Sequence, residues 1–207
     1  RIDLVARDGG SIVGLTSGEL GREVSLPVPA PVLWSPENPH LYQIEAVLRV
    51  GGKVVDRIGS YAGLREIGLV KDATGQARIA VNGKPTFLMG PLDQGWWPDG
   101  LYTAPSDEAL AYDLEVTKRL GFNMVRKHVK VEPARWYYWA DKLGLLVWQD
   151  MPSLMERGKR QQVKKGEKED IRLSEAESVQ YRAELKAVVE GFYHHPSIVV
   201  WVPFNEG

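Results

Sequence analysis

Hydrophobic and polar positions alternate with a period of two over the earlier part of the chain. Tyr42, Ile44, Ala46, Leu48 and Val50 interleave with more polar neighbours, the pattern of a half-buried strand. Gly51-Gly52 follows, a two-residue turn that tolerates positive φ, and residues 53–58 supply the returning strand. Pro27, Pro29, Pro31, Pro36 and Pro39 punctuate the approach and argue against helix there. Asn82-Gly83 is a second hairpin signal, set between residues 78–81 and 84–88. Residues 1–75 are therefore expected to form most of an antiparallel β-sandwich. A full domain of that kind takes ~100 residues, so its front edge is expected to lie outside the sequence.

From residue 76 to residue 207 the pattern changes to alternating apolar strands and amphipathic helices. Residues 87–90 read as a short apolar strand. Ser106 is an N-cap, with Asp107 and Glu108 suiting the positive end of a helix that carries Leu110, Leu114, Thr117 and Leu120 and stops at Gly121. Residues 122–127 form the next strand. Pro133 opens a second helix that ends at Gly144, and residues 145–148 form a third strand. Ser174 and Glu177 make a capping box for a third helix, whose inner stripe is Tyr181, Leu185, Val188, Val189 and Phe192. Residues 198–201 are a fourth, fully apolar strand. Apolar strands joined by helices imply a parallel sheet covered on both faces.

Closed barrel and doubly wound open sheet both fit that alternation. Polar residues favour the barrel, because they recur after each strand: Asp93-Gln94, Arg126 with His128, Gln149-Asp150, and Asn205-Glu206. Parallel strands put those ends on one rim, where barrel enzymes keep their chemistry. An open sheet commonly places a glycine-rich phosphate loop at its switch point, and the sequence has none.

Composition narrows the partners. The chain has 207 residues, 43% hydrophobic and 26% charged, with a formal net charge of −1, which gives no reason to expect nucleic acid or an anionic membrane as partner. No cysteine is present, so disulfides and thiolate metal sites are excluded, while the compartment stays open. No His/Asp/Glu cluster has metal-ligand spacing, and no cofactor is expected. Residues 156–172 are dense in Lys, Arg and Glu and read as a solvated loop after the third strand.

Six blocks of the sequence resemble glycoside hydrolase family 2, in the family's order. Trp34-Ser35-Pro36-Glu37-Asn38-Pro39-His40-Leu41-Tyr42 resembles the signature of its immunoglobulin-like domain, and Gly63-Leu64-Arg65-Glu66-Ile67 that domain's last strand. Val81-Asn82-Gly83-Lys84-Pro85-Thr86-Phe87-Leu88-Met89-Gly90 is similar to the start of its (β/α)8 barrel. Leu120-Gly121-Phe122-Asn123-Met124-Val125-Arg126 and Leu143-Gly144-Leu145-Leu146-Val147-Trp148 resemble its second and third barrel strands. His195-Pro196-Ser197-Ile198-Val199-Val200-Trp201, followed by Asn205-Glu206-Gly207, resembles the fourth.

The resemblance implies an immunoglobulin-like β-sandwich (1–75) followed by the first half of a TIM barrel (76–207). It implies a retaining β-glycosidase, β-galactosidase-like, acting on a carbohydrate substrate. Glycoside cleavage passes through an oxocarbenium-like state and needs two carboxyl groups. Glu206 maps onto the family's general acid/base, Asn205 onto the donor to the sugar 2-hydroxyl, and Arg126 onto an arginine that supports the nucleophile. Asp93 and Gln94 stand near the positions where β-galactosidase-like members carry an arginine-histidine-glutamate run, so galactose specificity does not carry over. His128 and Trp97 complete the expected substrate-binding set; beside Trp96, Trp97 could stack on a sugar ring or pack in the core.

The nucleophile, a Glu on the family's seventh strand, is outside the sequence, so the chain is expected to be an inactive fragment. Unpaired first and fourth strands would then favour self-association into a homo-oligomer. A non-catalytic carbohydrate-binding or assembly module derived from such an enzyme is the alternative, since fold alone does not dictate activity.

Overall fold

A computed structural model describes residues 1–152 and 174–205. The acid/base candidate Glu206 and the charge-dense stretch 156–172 lie outside the described residues. The chain divides into two compact units, one of Arg1–Phe87 with Asp141–Gly144 and one of Leu88–Ala140 with Leu145–Gly207.

The first unit is antiparallel. Strands β1 (Ile2–Asp8), β2 (Ser11–Gly18), β3 (Tyr42–Val50) and β4 (Lys53–Ala62) form a sheet in the order β2-β1-β3-β4. Gly51 and Gly52 carry φ of 56° and 78°, the left-handed pair that the β3–β4 turn requires. The β1–β2 hairpin was not legible in the alternation, although it closes on the same device at Gly9 and Gly10. A second sheet runs β5 (Ile67–Lys71), β6 (Ala77–Val81), β7 (Lys84–Pro85).

Asn82 does more than turn the β6–β7 hairpin at φ 52°. Its Oδ1 accepts from the Glu66 amide at 2.9 Å, and its Nδ2 donates to the Trp34 carbonyl at 3.0 Å. Trp34 itself is fully buried, and the Tyr42 hydroxyl accepts from the Val32 amide at 2.7 Å. The tryptophan and tyrosine of the Trp34–Tyr42 signature are thus anchors of this unit's core.

Beyond Phe87 strand and helix alternate: β8 (Leu92–Asp93), α1 (Asp107–Arg119), β9 (Met124–Lys127), α2 (Ala134–Leu143), β10 (Leu146–Asp150), α3 (Glu175–Phe192) and β11 (Ile198–Val202). Ser106 caps α1, its hydroxyl accepting from the Ala109 amide, and both halves of the Ser174–Glu177 capping box are formed at α3. All four strands are parallel, in the order β8-β9-β10-β11. A spatial order that follows chain order without reversal is the arrangement of a barrel wall; a doubly wound sheet would reverse at a switch point. The described strands do not close into a barrel.

One strand moved. Residues 87–90 were expected to open the parallel sheet, but its first strand is Leu92–Asp93, and Phe87 is exposed. Two residues interrupt the earlier stretch. A Cβ on Gly90 would sit 1.7 Å from the Met124 carbonyl oxygen, and Pro91 has no N–H to give a ladder. Carbonyls of Met89 and Pro91 nevertheless accept from the Asn123 and Arg126 amides, so the segment runs beside β9 before regular pairing begins.

Candidate active site

Side chains of a strand alternate between faces, and parallel register puts level residues on the same face. Leu92, Arg126 and Trp148 are level, and so are Asp93, Lys127 and Gln149. Arg126 therefore belongs to one face of the sheet and Lys127 to the other, and each anchors a different polar network.

The first network joins three strand ends. Arg126 Nε and Nη2 donate to the two carboxylate oxygens of Asp150 at 2.9 and 3.0 Å, a fork-on-fork pair. Its Nη2 also donates to Asn205 Oδ1 at 3.0 Å. Asp150 is fully buried and accepts a third bond, from the Val129 amide at 3.2 Å. With Oδ1 taken by the guanidinium, the amide NH2 of Asn205 is the part left to donate. Arg126 and Asn205 are thus brought together. Asp150, placed at a strand end by the sequence but given no role there, is what holds Arg126.

Beside it, Gln94 Nε2 lies 2.9 Å from His128 Nδ1. An amide nitrogen only donates, so in this orientation Nδ1 accepts and the neutral ring carries its proton on Nε2. That leaves Gln94 Oε1 as an acceptor and His128 Nε2–H as a donor. Val129, the next residue, has a φ of 48°, a left-handed conformation that a β-branched side chain resists. That kink lies between His128, paired with Gln94, and Lys130, which belongs to the second network.

The second network is buried. Lys127 is fully enclosed; its Nζ donates to Asp93 Oδ2 at 2.6 Å and to Glu132 Oε1 at 3.0 Å and lies 4.3 Å from the centre of the Trp136 ring. Lys130 Nζ lies 2.9 Å from the same Glu132 oxygen and donates to the carbonyls of Gly95 and Tyr102 at 2.7 and 2.8 Å. Two ammoniums and two carboxylates balance, which is the condition for keeping such charges out of water. Asp93 spends its other oxygen on the Gly95 amide at 2.7 Å. Asp93 thus serves the loop after β8, and its carboxylate points to this cluster. Trp97 is drawn in as well, its ring 4.8 Å from Lys130 Nζ.

Tyr137 ties this layer to β10, its hydroxyl donating to Gln149 Oε1 at 2.6 Å; burial pushes its ionisation well above the usual phenol range. Lys127, Lys130 and Glu132 were invisible as site residues, because a run of charges ordinarily reads as a solvated face. The available signal was a lysine directly after Arg126, which strand alternation must send to the opposite, helix-covered face.

Gly95 is a sensitive point in this cluster. It has a φ of 62°, and a Cβ there would meet Glu132 Oε1 at 2.2 Å and Lys130 Nζ at 2.7 Å. Gly95→Ala is expected to cost about 3 kcal/mol, combining left-handed strain with overpacking. Urea denaturation of the purified chain measures it, and a loss below about 1 kcal/mol would show that the cluster yields.

Among the described residues, no group of three or more His, Asp or Glu could hold a metal ion, and no helix is long and apolar enough to cross a membrane.

Comparison with known proteins gives a consistent picture. The family model described as glycosyl hydrolases family 2 matches residues 6–65, and that described as its TIM barrel domain matches residues 73–207. A β-galactosidase of Lactococcus lactis is 31% identical over 129 residues, covering 61% of this chain and 12% of that protein. A putative β-glucuronidase of Formosa agariphila is 28% identical over 202 residues, covering 95% of this chain and 18% of that protein. The chain spans less than a fifth of the length of these curated relatives.

Among solved structures, the apo Bacteroides uniformis β-glucuronidase 3 superposes with a TM-score of 0.76 at 23% identity, covering 97% of this chain and 23% of that one. A Ruminococcus gnavus β-glucuronidase in complex with a C6-substituted uronic isofagomine superposes with a TM-score of 0.79 at 24% identity, covering 99% and 32%. At these identities the structures speak for the fold, which has sandwich and TIM-barrel parts.

Proposed function

Since this chain belongs to glycosyl hydrolases family 2, we propose that it supplies the acid/base half of a retaining β-glycosidase, with Glu206 as the proton donor and acceptor. One observation carries the reading: Arg126, clamped by buried Asp150, holds Asn205 by its amide oxygen at 3.0 Å, in the position before Glu206. That contact leaves the Asn205 NH2 as a donor, the role that a sugar 2-hydroxyl needs and that strengthens as the oxocarbenium forms. Glu206 would protonate the departing oxygen and then deprotonate the water that completes the reaction.

On this reading the parallel strands are the first half of a (β/α)8 barrel and the antiparallel unit is of the immunoglobulin-like type. The nucleophilic carboxylate would come from a later strand, so the 207-residue chain on its own has no steady turnover. Arg126 acts on Asn205 and Asp150 and thereby fixes the rim to which the nucleophile would be opposed. The sugar is read by the Gln94–His128 pair, which offers one acceptor and one donor.

The test is hydrolysis of aryl β-galactosides, β-glucuronides and β-mannosides by the full-length protein carrying this segment, with the first-formed product followed by proton NMR. Cleavage of one sugar with the β-anomer released first supports the reading. Release of the α-anomer would make the enzyme inverting. Binding of sugars without cleavage would favour a non-catalytic carbohydrate-binding module.

A further inference from the structure

We infer that Lys130 is a positioning residue for a sugar-stacking subsite whose surface is the exposed ring of Trp96; this rests on the glycosidase reading above. The Lys130 ammonium donates to the carbonyls of Gly95 and Tyr102 and pairs with the carboxylate of Glu132 at 2.9 Å. Gly95 and Tyr102 are the two ends of one loop, so a single buried charge draws both ends to a point.

The loop between them is built throughout. Trp97 and Leu101 exchange both backbone hydrogen bonds at 2.9 and 2.8 Å, closing a tight hairpin. Leu101 takes a left-handed φ of 52° to do so. A Cβ on Gly100 would sit 1.9 Å from the Thr103 carbonyl oxygen.

A loop held this firmly fixes its two tryptophans, and it treats them differently. Trp97 is half-buried, its ring beside the Lys130 ammonium. Trp96 is 61% exposed, steadied by an edge contact with Tyr102 at 5.3 Å between ring centres. Tyr102 in turn lies 4.2 Å from Lys130 Nζ. Trp96 is two residues from Gln94 and follows a strand of the parallel sheet at its C-terminal end, the side on which barrel enzymes bind substrate. An indole face there suits the C–H face of a pyranose or an aryl leaving group. Trp96, not Trp97, is therefore the platform, and Lys130 sets its position without touching substrate.

Affinity for aryl β-thioglycosides, which resist cleavage, tests this by calorimetry on the full-length protein, with Trp96→Ala, Lys130→Met and the double variant. Trp96→Ala is expected to weaken binding on the order of tenfold. Lys130→Met should weaken it by a comparable factor, and the double variant no more than Trp96→Ala alone, because both changes remove the same contact. Losses that multiply would show that Lys130 acts only through general stability and would overturn the proposal. So would a Trp96→Ala protein that binds like the wild type, or a wild type that binds no thioglycoside. Should Lys130→Met fail to fold, the charge-balanced pair K130M/E132Q, which leaves Lys127 with Asp93, takes its place. Thioglycoside binding without turnover of the matching O-glycosides would count against the glycosidase reading and leave the subsite standing.

Discussion

Glu206→Ala in the full-length enzyme is expected to lower kcat by about 10⁴-fold on substrates with poor leaving groups, the upper range for loss of a positioned acid/base. On aryl glycosides whose leaving group needs no protonation, the first step should survive. The second step then becomes limiting, since no base remains to activate water. Azide needs no deprotonation, so it should restore turnover and appear in the product as a β-glycosyl azide. The alkaline limb of the kcat/KM profile should also disappear for activated substrates, because that limb reports loss of the acid's proton. A Glu206→Ala enzyme that keeps its rate on unactivated substrates, or one that azide does not rescue, would remove Glu206 from the role. Asn205→Ala serves as the companion. It removes the 2-hydroxyl donor but leaves the carboxylate, so its loss should show no azide rescue.

Much of the fold could be read from the sequence, because its determinants are local. The Gly51-Gly52 and Asn82-Gly83 turns need left-handed φ, and those residues supply it. Ser106 and the Ser174–Glu177 pair cap helices by contacts within one turn. Reading failed where a distant atom decided. Residues 87–90 look like a strand, yet regular pairing starts only at Leu92, after Gly90, whose backbone packs against the Met124 carbonyl 34 positions on, and Pro91.

The site divides in the same way. Strand-end positions were sufficient to find Arg126, Asn205, Gln94 and His128, and they lie in two bonded pairs. What supports them was not assigned, even where the residue itself, as Asp150, had been placed at a strand end. Asp150 is 24 residues from Arg126, and nothing local marks it as the carboxylate that fills the guanidinium. Lys127, Lys130 and Glu132 form a charged run whose burial only the helix-covered face of the sheet reveals. Asp93 was assigned to substrate for its place after a strand, yet strand parity puts it level with Lys127 on the other face.

Arg126→Met is expected to be strongly destabilising. Among the described residues it leaves the Asp150 carboxylate, which has no solvent exposure, with the Val129 amide as its one remaining partner. Breaking a buried ion pair from one side costs about 3–5 kcal/mol. The lower end applies here, because the arginine side chain keeps 30% of its surface in solvent. Arg126→Lys should recover part of the charge but not the fork, since an ammonium cannot span both carboxylate oxygens and Asn205 at once. Asp150→Asn should cost less than Arg126→Met, because the half-exposed guanidinium can turn to water. The double change Arg126→Met/Asp150→Asn should then be less harmful than Arg126→Met alone, with a coupling of about 2 kcal/mol in a denaturation cycle. Additive losses would mean that the two groups do not depend on each other for stability. In that case the guanidinium would be held for Asn205 alone, and Arg126→Met would lower activity far more than stability.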